Sequence, residues 1–262
     1  MWSKNLCLFS IITLFIFSCK KEDEPKQAFE YKGTLGDVIR IIETETFSPT
    51  QVLAQLPSSI SALVTPKYTV KVFFVEYKSE NKDKDTVKAS GIIIIPMMDS
   101  FAIPLISYQH GTVLPKTSAP SIVKGEEYKL NLAIASMSGT LACVPDYLGL
   151  GTGDGLHMYL NPREEANSVR DILRCARKLV RDSGFTALNG QVLLYGYSQG
   201  GHATMAAQRQ MELENENEFT LTASAPMAGP YAMSRTSQFN VMLDSLYYPN
   251  PFYLPYLAVS LF

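Results

Sequence analysis

The stretch Gln191-Val-Leu-Leu-Tyr-Gly196-Tyr197-Ser198-Gln199-Gly200-Gly201-His202-Ala203-Thr204-Met205 decides how the rest of the chain is read. It sets Gly-x-Ser-x-Gly between an apolar run of strand character and an Ala-containing run of helical character. A serine at such a junction occupies a strained turn with its hydroxyl exposed. The glycines two before and two after remove side chains that would collide with the neighbouring strand and helix. Bare Gly-x-Ser-x-Gly recurs by chance in a chain with 16 glycines, so the flanking strand and helix carry the specificity. Ser198 is therefore read as a nucleophile rather than as a tight structural turn.

A strained nucleophilic serine calls for a place to hold developing negative charge. Two backbone N–H groups are needed, one from the residue after the nucleophile and one from a loop at the end of a neighbouring strand. The first is Gln199. The second falls in Ser107-Tyr108-Gln109-His110-Gly111-Thr112, with Thr112 as the donor and Gly111 giving close backbone approach. His110 reads as a brace for that loop more readily than as a catalytic group. A third segment, Val144-Pro145-Asp146-Tyr147-Leu148-Gly149-Leu150-Gly151-Thr152-Gly153-Asp154-Gly155, has glycine at every second position, a spacing that excludes a dinucleotide-binding loop. Asp146 either lines the pocket or fixes the loop. His110, Tyr147 and Tyr197 complete the pocket candidates.

Around these segments the pattern is mixed. Leu35, Val38, Ile39 and Ile42 have helical spacing, and Ser48-Pro49 followed by Val52, Leu53 and Leu56 reads as a capped short helix. Residues 68–77 and 86–95 are strand-like and separated by a polar turn, which predicts an antiparallel hairpin. Strand candidates at 104–108, 140–144, 191–195 and 220–225 then alternate with helix candidates near 126–137, 163–182 and 199–215. Short apolar strands alternating with helices predict an α/β fold with a mostly parallel sheet covered on both faces.

The N-terminus reads as an address. Lys4 precedes an apolar run from Leu6 through Phe17, too short for a comfortable membrane span and ordered like a secretory signal. Ile16-Phe17-Ser18-Cys19 resembles a bacterial lipobox. The resemblance implies a lipoprotein signal over 1–18 and lipidation of Cys19. The following Lys20-Lys21-Glu22-Asp23-Glu24-Pro25 forms a charged tether over 19–30 that resembles a surface-export tag. The expected location is the cell envelope, membrane-anchored through lipid to a bacterial outer membrane and facing its surface. An ordinary secretory signal is the alternative. Cys143 and Cys175 then remain, read as core thiols, with a disulfide between them as the lesser alternative.

The 262 residues, with 46% hydrophobic and 18% charged side chains, suffice for one sizeable domain from residue 31 onward. With 23 Lys+Arg against 25 Asp+Glu the net charge is -2, and no basic block offers a grip on phosphates, so nucleic acid is not an expected partner. Three isolated histidines lack metal-ligand spacing, and neither a metal nor another cofactor is expected. Oligomeric state is not legible.

Taken in order, Tyr-Gln-His-Gly-Thr at 108–112, Pro-Asp-Tyr-Leu-Gly-Leu-Gly at 145–151 and Gly-Tyr-Ser-Gln-Gly-Gly-His-Ala-Thr at 196–204 resemble the secretory lipase family, lipase A-like members of the α/β-hydrolases. The resemblance covers roughly residues 68–231. It implies an α/β-hydrolase fold whose serine hydrolyses carboxylic esters, including acylglycerols, with Ser198 at the nucleophile's position. The family order of serine, then acid, then histidine finds only His202 after Ser198, on the helix behind the serine and facing away from the pocket mouth. Asp244 falls in a Tyr- and Pro-rich stretch, 235–255, that reads as a cap region beginning near 232 or as a packed loop. The expectation is a chain truncated at its C-terminus, with an incomplete fold and little activity. The alternatives are a peptidase or other acyl hydrolase on the same fold, and a non-catalytic surface-anchored binding protein.

Overall fold

The computed structural model describes residues 31–98, 101–215, 217–232 and 253–261. The N-terminal address with Cys19, the charged tether and most of the Tyr- and Pro-rich stretch, Asp244 included, lie outside the described residues.

Among the described residues one sheet is built from β1 (Val38–Phe47), β2 (Val70–Glu80), β3 (Thr86–Pro96), β4 (Ala102–Gln109), β5 (Leu141–Pro145), β6 (Ala187–Tyr197) and β7 (Thr220–Met227), in spatial order β1-β2-β3-β5-β4-β6-β7. The hairpin of β2 and β3 is antiparallel, as is the pairing of β3 with β5. From β5 through β4, β6 and β7 every pairing is parallel. The helices are α1 (Pro49–Gln55), α2 (Ser58–Ser61), α3 (Pro120–Val123), α4 (Glu126–Ser138), α5 (Pro162–Ser183), α6 (Gln199–Glu214) and α7 (Tyr253–Leu261).

Strand periodicity explains the two core layers. In the run Ile92-Ile93-Ile94-Ile95 successive side chains point to opposite faces. Ile93 and Ile95 join Ile172 and Leu173 of α5 and Met211 of α6, whereas Ile92 and Ile94 join Val52 of α1 and Leu132 of α4. A strand apolar on both sides needs a helix on each, and burying such a side chain contributes about 1.5–3 kcal/mol. Cys143 and Cys175 are free thiols in the α5–α6 layer, their ionisation made harder by burial.

The capped helix at Ser48 forms as expected. Ser48 Oγ accepts from Gln51 N–H, the Gln51 side chain accepts from Ser48 N–H, and Pro49 takes the first helical position. The hairpin and the alternating elements fall on their expected windows, and β6 starts earlier because Ala187 and Leu188 pair with Ala102 and Ile103 of β4.

The expected helix through Leu35, Val38, Ile39 and Ile42 is corrected: residues 38–47 are an edge strand paired antiparallel with β2. Helical spacing is a local signal, but β2 presents an open row of backbone groups. The β-branched Val38, Ile39, Ile41, Ile42, Thr44 and Thr46 suit a strand that satisfies it. Two register shifts and the forked ion pair from Arg40 to Glu76, both contacts at 3.1 Å, secure that edge.

The chain makes β4, leaves the sheet and returns as β5 on the side of β4 away from β6. The carboxyl ends of β4 and β6 are therefore adjacent, with Gln109 opposite Gly196. Crevices that take ligands open at such switches in strand order.

Candidate active site

Ser198 sits between the last residue of β6 and the first of α6 with φ 60° and ψ −121°. This sparsely populated backbone region for a residue with a Cβ costs of order 1–3 kcal/mol and persists only where its surroundings enforce it. Here Ser198 N–H donates to Met227 O at 3.0 Å, and Ser198 O accepts from Gly201 N–H and His202 N–H at 2.9 and 3.2 Å. The flanking glycines are steric necessities. A Cβ on Gly200 would lie 2.6 Å from the Gln109 carbonyl carbon, and one on Gly196 would collide with the Gly200 backbone. Ser198 is part-buried, forms no side-chain cap on α6, and has the exposed Tyr197 beside it.

The facing wall is the turn after β4. Buried Gln109 places its side-chain amide 2.7 Å from both Ser107 Oγ and Thr204 Oγ1, tying β4 to α6. The fully buried His110 ring has Nδ1 2.7 Å from Gly111 O and Nε2 3.2 Å from Asp146 O, and packs 4.2 Å from the Tyr147 ring. Tyr147 OH donates to His110 O. Gly111 lies against Tyr197 O, with its own N–H turned toward Glu127 Oε1 at 3.4 Å. Thr112 Oγ1 lies 3.0 Å from Tyr159 OH. Asp146 is buried and holds its loop, accepting from Ser90 Oγ, Ser121 N–H and, in a short contact, Ser121 Oγ. Burial raises its carboxyl above the usual range against the pull of these bonds.

The chain's three histidines are all engaged away from Ser198. His110 is wedged between carbonyls. His202 Nδ1 lies 2.5 Å from Glu165 Oε2. His157 Nδ1 faces Leu148 O at 3.1 Å, and its Nε2 lies 2.8 Å from Gln199 Nε2. A carbonyl can only accept, so Nδ1 carries the proton and Nε2 accepts from the Gln199 amide. Glu165, His157 and Tyr159 are the residues that sequence reasoning missed. Glu165 had one signal: with Val169, Ile172, Leu173 and Ala176 it follows the spacing of the buried face of α5, where a carboxylate must find partners.

A family model described as secretory lipase matches residues 122–216. A candidate hydrolase from Legionella pneumophila aligns with TM-score 0.72 at 28% identity, covering 84% of this chain and 60% of its own. The rice cell wall degrading esterase LipA from Xanthomonas oryzae aligns with TM-score 0.67 at 30% identity, covering 81% of this chain and 54% of its own. The chain has the α/β-hydrolase fold and is similar to the secretory lipases. It spans little more than half the length of these structural relatives. A comparison with curated proteins returned no match.

In this lipase-like fold a cavity of about 360 Å³ reaches the His157 ring, lined by Leu114, Leu150, Leu156, His157, Tyr256 and Val259 among others. Tyr256 OH of α7 donates to Leu114 O, and Tyr159 stacks on Tyr253 with ring centroids 6.1 Å apart. Among the described residues no three His, Cys, Asp or Glu side chains converge as a metal site requires.

Gly200→Ala should destabilise the protein. Helix propensity alone favours alanine by about 1 kcal/mol, but the added methyl meets the Gln109 and His110 backbone. A lowered urea midpoint checks this, and a raised one would refute the steric account. Burial holds the His157 ring below its ordinary 6.5. The unfolded chain therefore takes up a proton that the folded ring refuses, and this contribution to stability is lost as pH falls below 6.5. Denaturation midpoints measured between pH 7 and 5 should fall less steeply for His157→Asn than for wild type.

Proposed function

We propose that this chain carries the nucleophile and oxyanion hole of a serine hydrolase that cleaves carboxylic esters, small-molecule esters or acylglycerols, through an acyl-enzyme. The observation that carries the reading is Ser198 at φ 60° on a strand-to-helix turn, with β4 ending against it. Ser198 Oγ attacks the ester carbonyl carbon, and the carbonyl oxygen becomes an oxyanion. Gln199 N–H receives it, because a first-turn helix N–H has no intrahelical acceptor. Thr112 N–H meets it from the opposite wall, and Gly111 leaves room for its approach. Solvent water takes the Ser198 hydroxyl proton as the Oγ–C bond forms and returns one to the leaving oxygen as the ester C–O bond breaks and the alcohol departs; a second water then cleaves the serine ester, releasing the acid and restoring the hydroxyl. The cavity lined by Leu114, Leu150 and Leu156 suits an apolar acyl chain.

Each imidazole of this polypeptide has partners other than Ser198, so p-nitrophenyl ester turnover is expected at the level that oxyanion stabilisation and binding support by themselves. That level is roughly 10³–10⁴-fold over water. Ser198→Ala should leave that residual in place and abolish the acyl-enzyme, read as an acyl mass increment on the quenched protein; an increment that survives the substitution would overturn the assignment.

For the N-terminus we infer export and lipidation at Cys19, supported by Lys4, the apolar run and Ile16-Phe17-Ser18-Cys19. Two acyl chains hold a protein stably at a membrane where one is marginal. Among the described residues no helix is long and apolar enough to cross a membrane. Cells fed an alkyne analogue of palmitate should label the wild-type protein and not Cys19→Ala. Export without any label would leave an ordinary secretory signal.

A further inference from the structure

We propose that Glu165 is a positioning residue for the oxyanion hole, acting through the side chain of Gln199; this rests on the hydrolase reading above. Gln199 follows the nucleophile, so its backbone N–H is the one that would hold the oxyanion, and its side chain is fully buried. Both hydrogens of that side-chain amide are committed. Nε2 lies 2.9 Å from Glu165 Oε1 and 2.8 Å from His157 Nε2.

The orientation is over-determined. Leu148 O fixes the proton of His157 on Nδ1, which leaves Nε2 only a lone pair to offer. Rotating the Gln199 amide by 180° would set its oxygen against that lone pair and against a carboxylate oxygen. The observed orientation leaves Gln199 Oε1 buried and without a partner among the described residues. A buried orphan acceptor is unfavourable, so the two contacts on the nitrogen must dictate the conformation.

Glu165 has further contacts with the loop before α5 and with the first turn of α6. Its Oε1 also accepts from Leu160 N–H at 3.2 Å, and its Oε2 faces His202 Nδ1. His202 N–H in turn donates to Ser198 O. One carboxylate on the first turn of α5 thereby restrains residues 199 and 202 on the first turn of α6. The fold has other ties at this junction, through Thr204 to Gln109 and through Ser198 to Met227. What the Glu165 contact adds is restraint on the Gln199 peptide, whose N–H no helical carbonyl holds. A preorganised donor outperforms a mobile one because it needs no reorganisation when charge develops.

The test uses butylboronic acid, which forms a tetrahedral adduct on a serine seated in an oxyanion hole, read by ¹¹B NMR and by titration of Kd. Wild type should give a tetrahedral line that Ser198→Ala lacks. Glu165→Gln and Gln199→Met should each weaken binding about 10- to 100-fold and shift the line toward the trigonal position. The change is below the 10²–10³ that losing a donor outright costs in rate. A merely structural role for Glu165 would lower the melting temperature and leave the line of the folded fraction in place. Tight tetrahedral adducts in both variants would overturn the positioning role and leave the hydrolase reading standing. Loss of cooperative melting in both would also overturn it, the network then holding the fold rather than the hole. Absence of any adduct in wild type would bring down the hydrolase reading and this inference with it.

Discussion

The carboxyl end of the sheet is organised by how closely the backbone of α6 approaches β4. Gly200 rests on the carbonyls of Gln109 and His110, and Gly196 rests on Gly200. No side chain fits between them, so strand and helix can be joined only by a turn too tight for ordinary dihedrals. Ser198 absorbs the difference at φ 60°. The same closeness sets Gly111 against Tyr197 and brings the turn after β4 beside the serine. The strained serine turn and its facing wall are thus two results of one packing constraint.

Behind that contact the polar groups at the strand ends are buried and must find partners among themselves. Asp146 closes its loop on Ser90 and Ser121, His110 is held between two carbonyls, and Glu165 gathers Gln199, His202 and Leu160. These bonds rigidify the loops that cross the end of the sheet. A site on loops gains precision only when such a second layer locks its residues, and here the lock reaches Gln199 from an adjacent helix.

Much of the fold was legible because its signals are local. The β2–β3 hairpin, the alternating strands and helices and the Ser48 cap each depend on neighbours within a few residues. The segment 35–42 departs from its helical spacing for the same reason: that spacing is local, and the open edge of β2 that makes 38–47 a strand belongs to residues more than twenty positions on. Early strand ends, such as Ala187 and Leu188 of β6, were likewise extended by pairing partners that lie remote in sequence.

The sequence by itself determined the strained serine turn, the two glycine-bearing loops and the α/β class, since a strained turn, a close approach and a buried strand each demand particular residue types at fixed spacing. Only the tertiary structure decided what the histidines do. His110, His157 and His202 are chemically alike in the sequence, and their roles follow from acceptors supplied by other segments: Asp146 O, Leu148 O and Glu165. A hydrogen bond is set by distance and direction across the fold, and spacing along the chain carries neither once the contact crosses from one element to another.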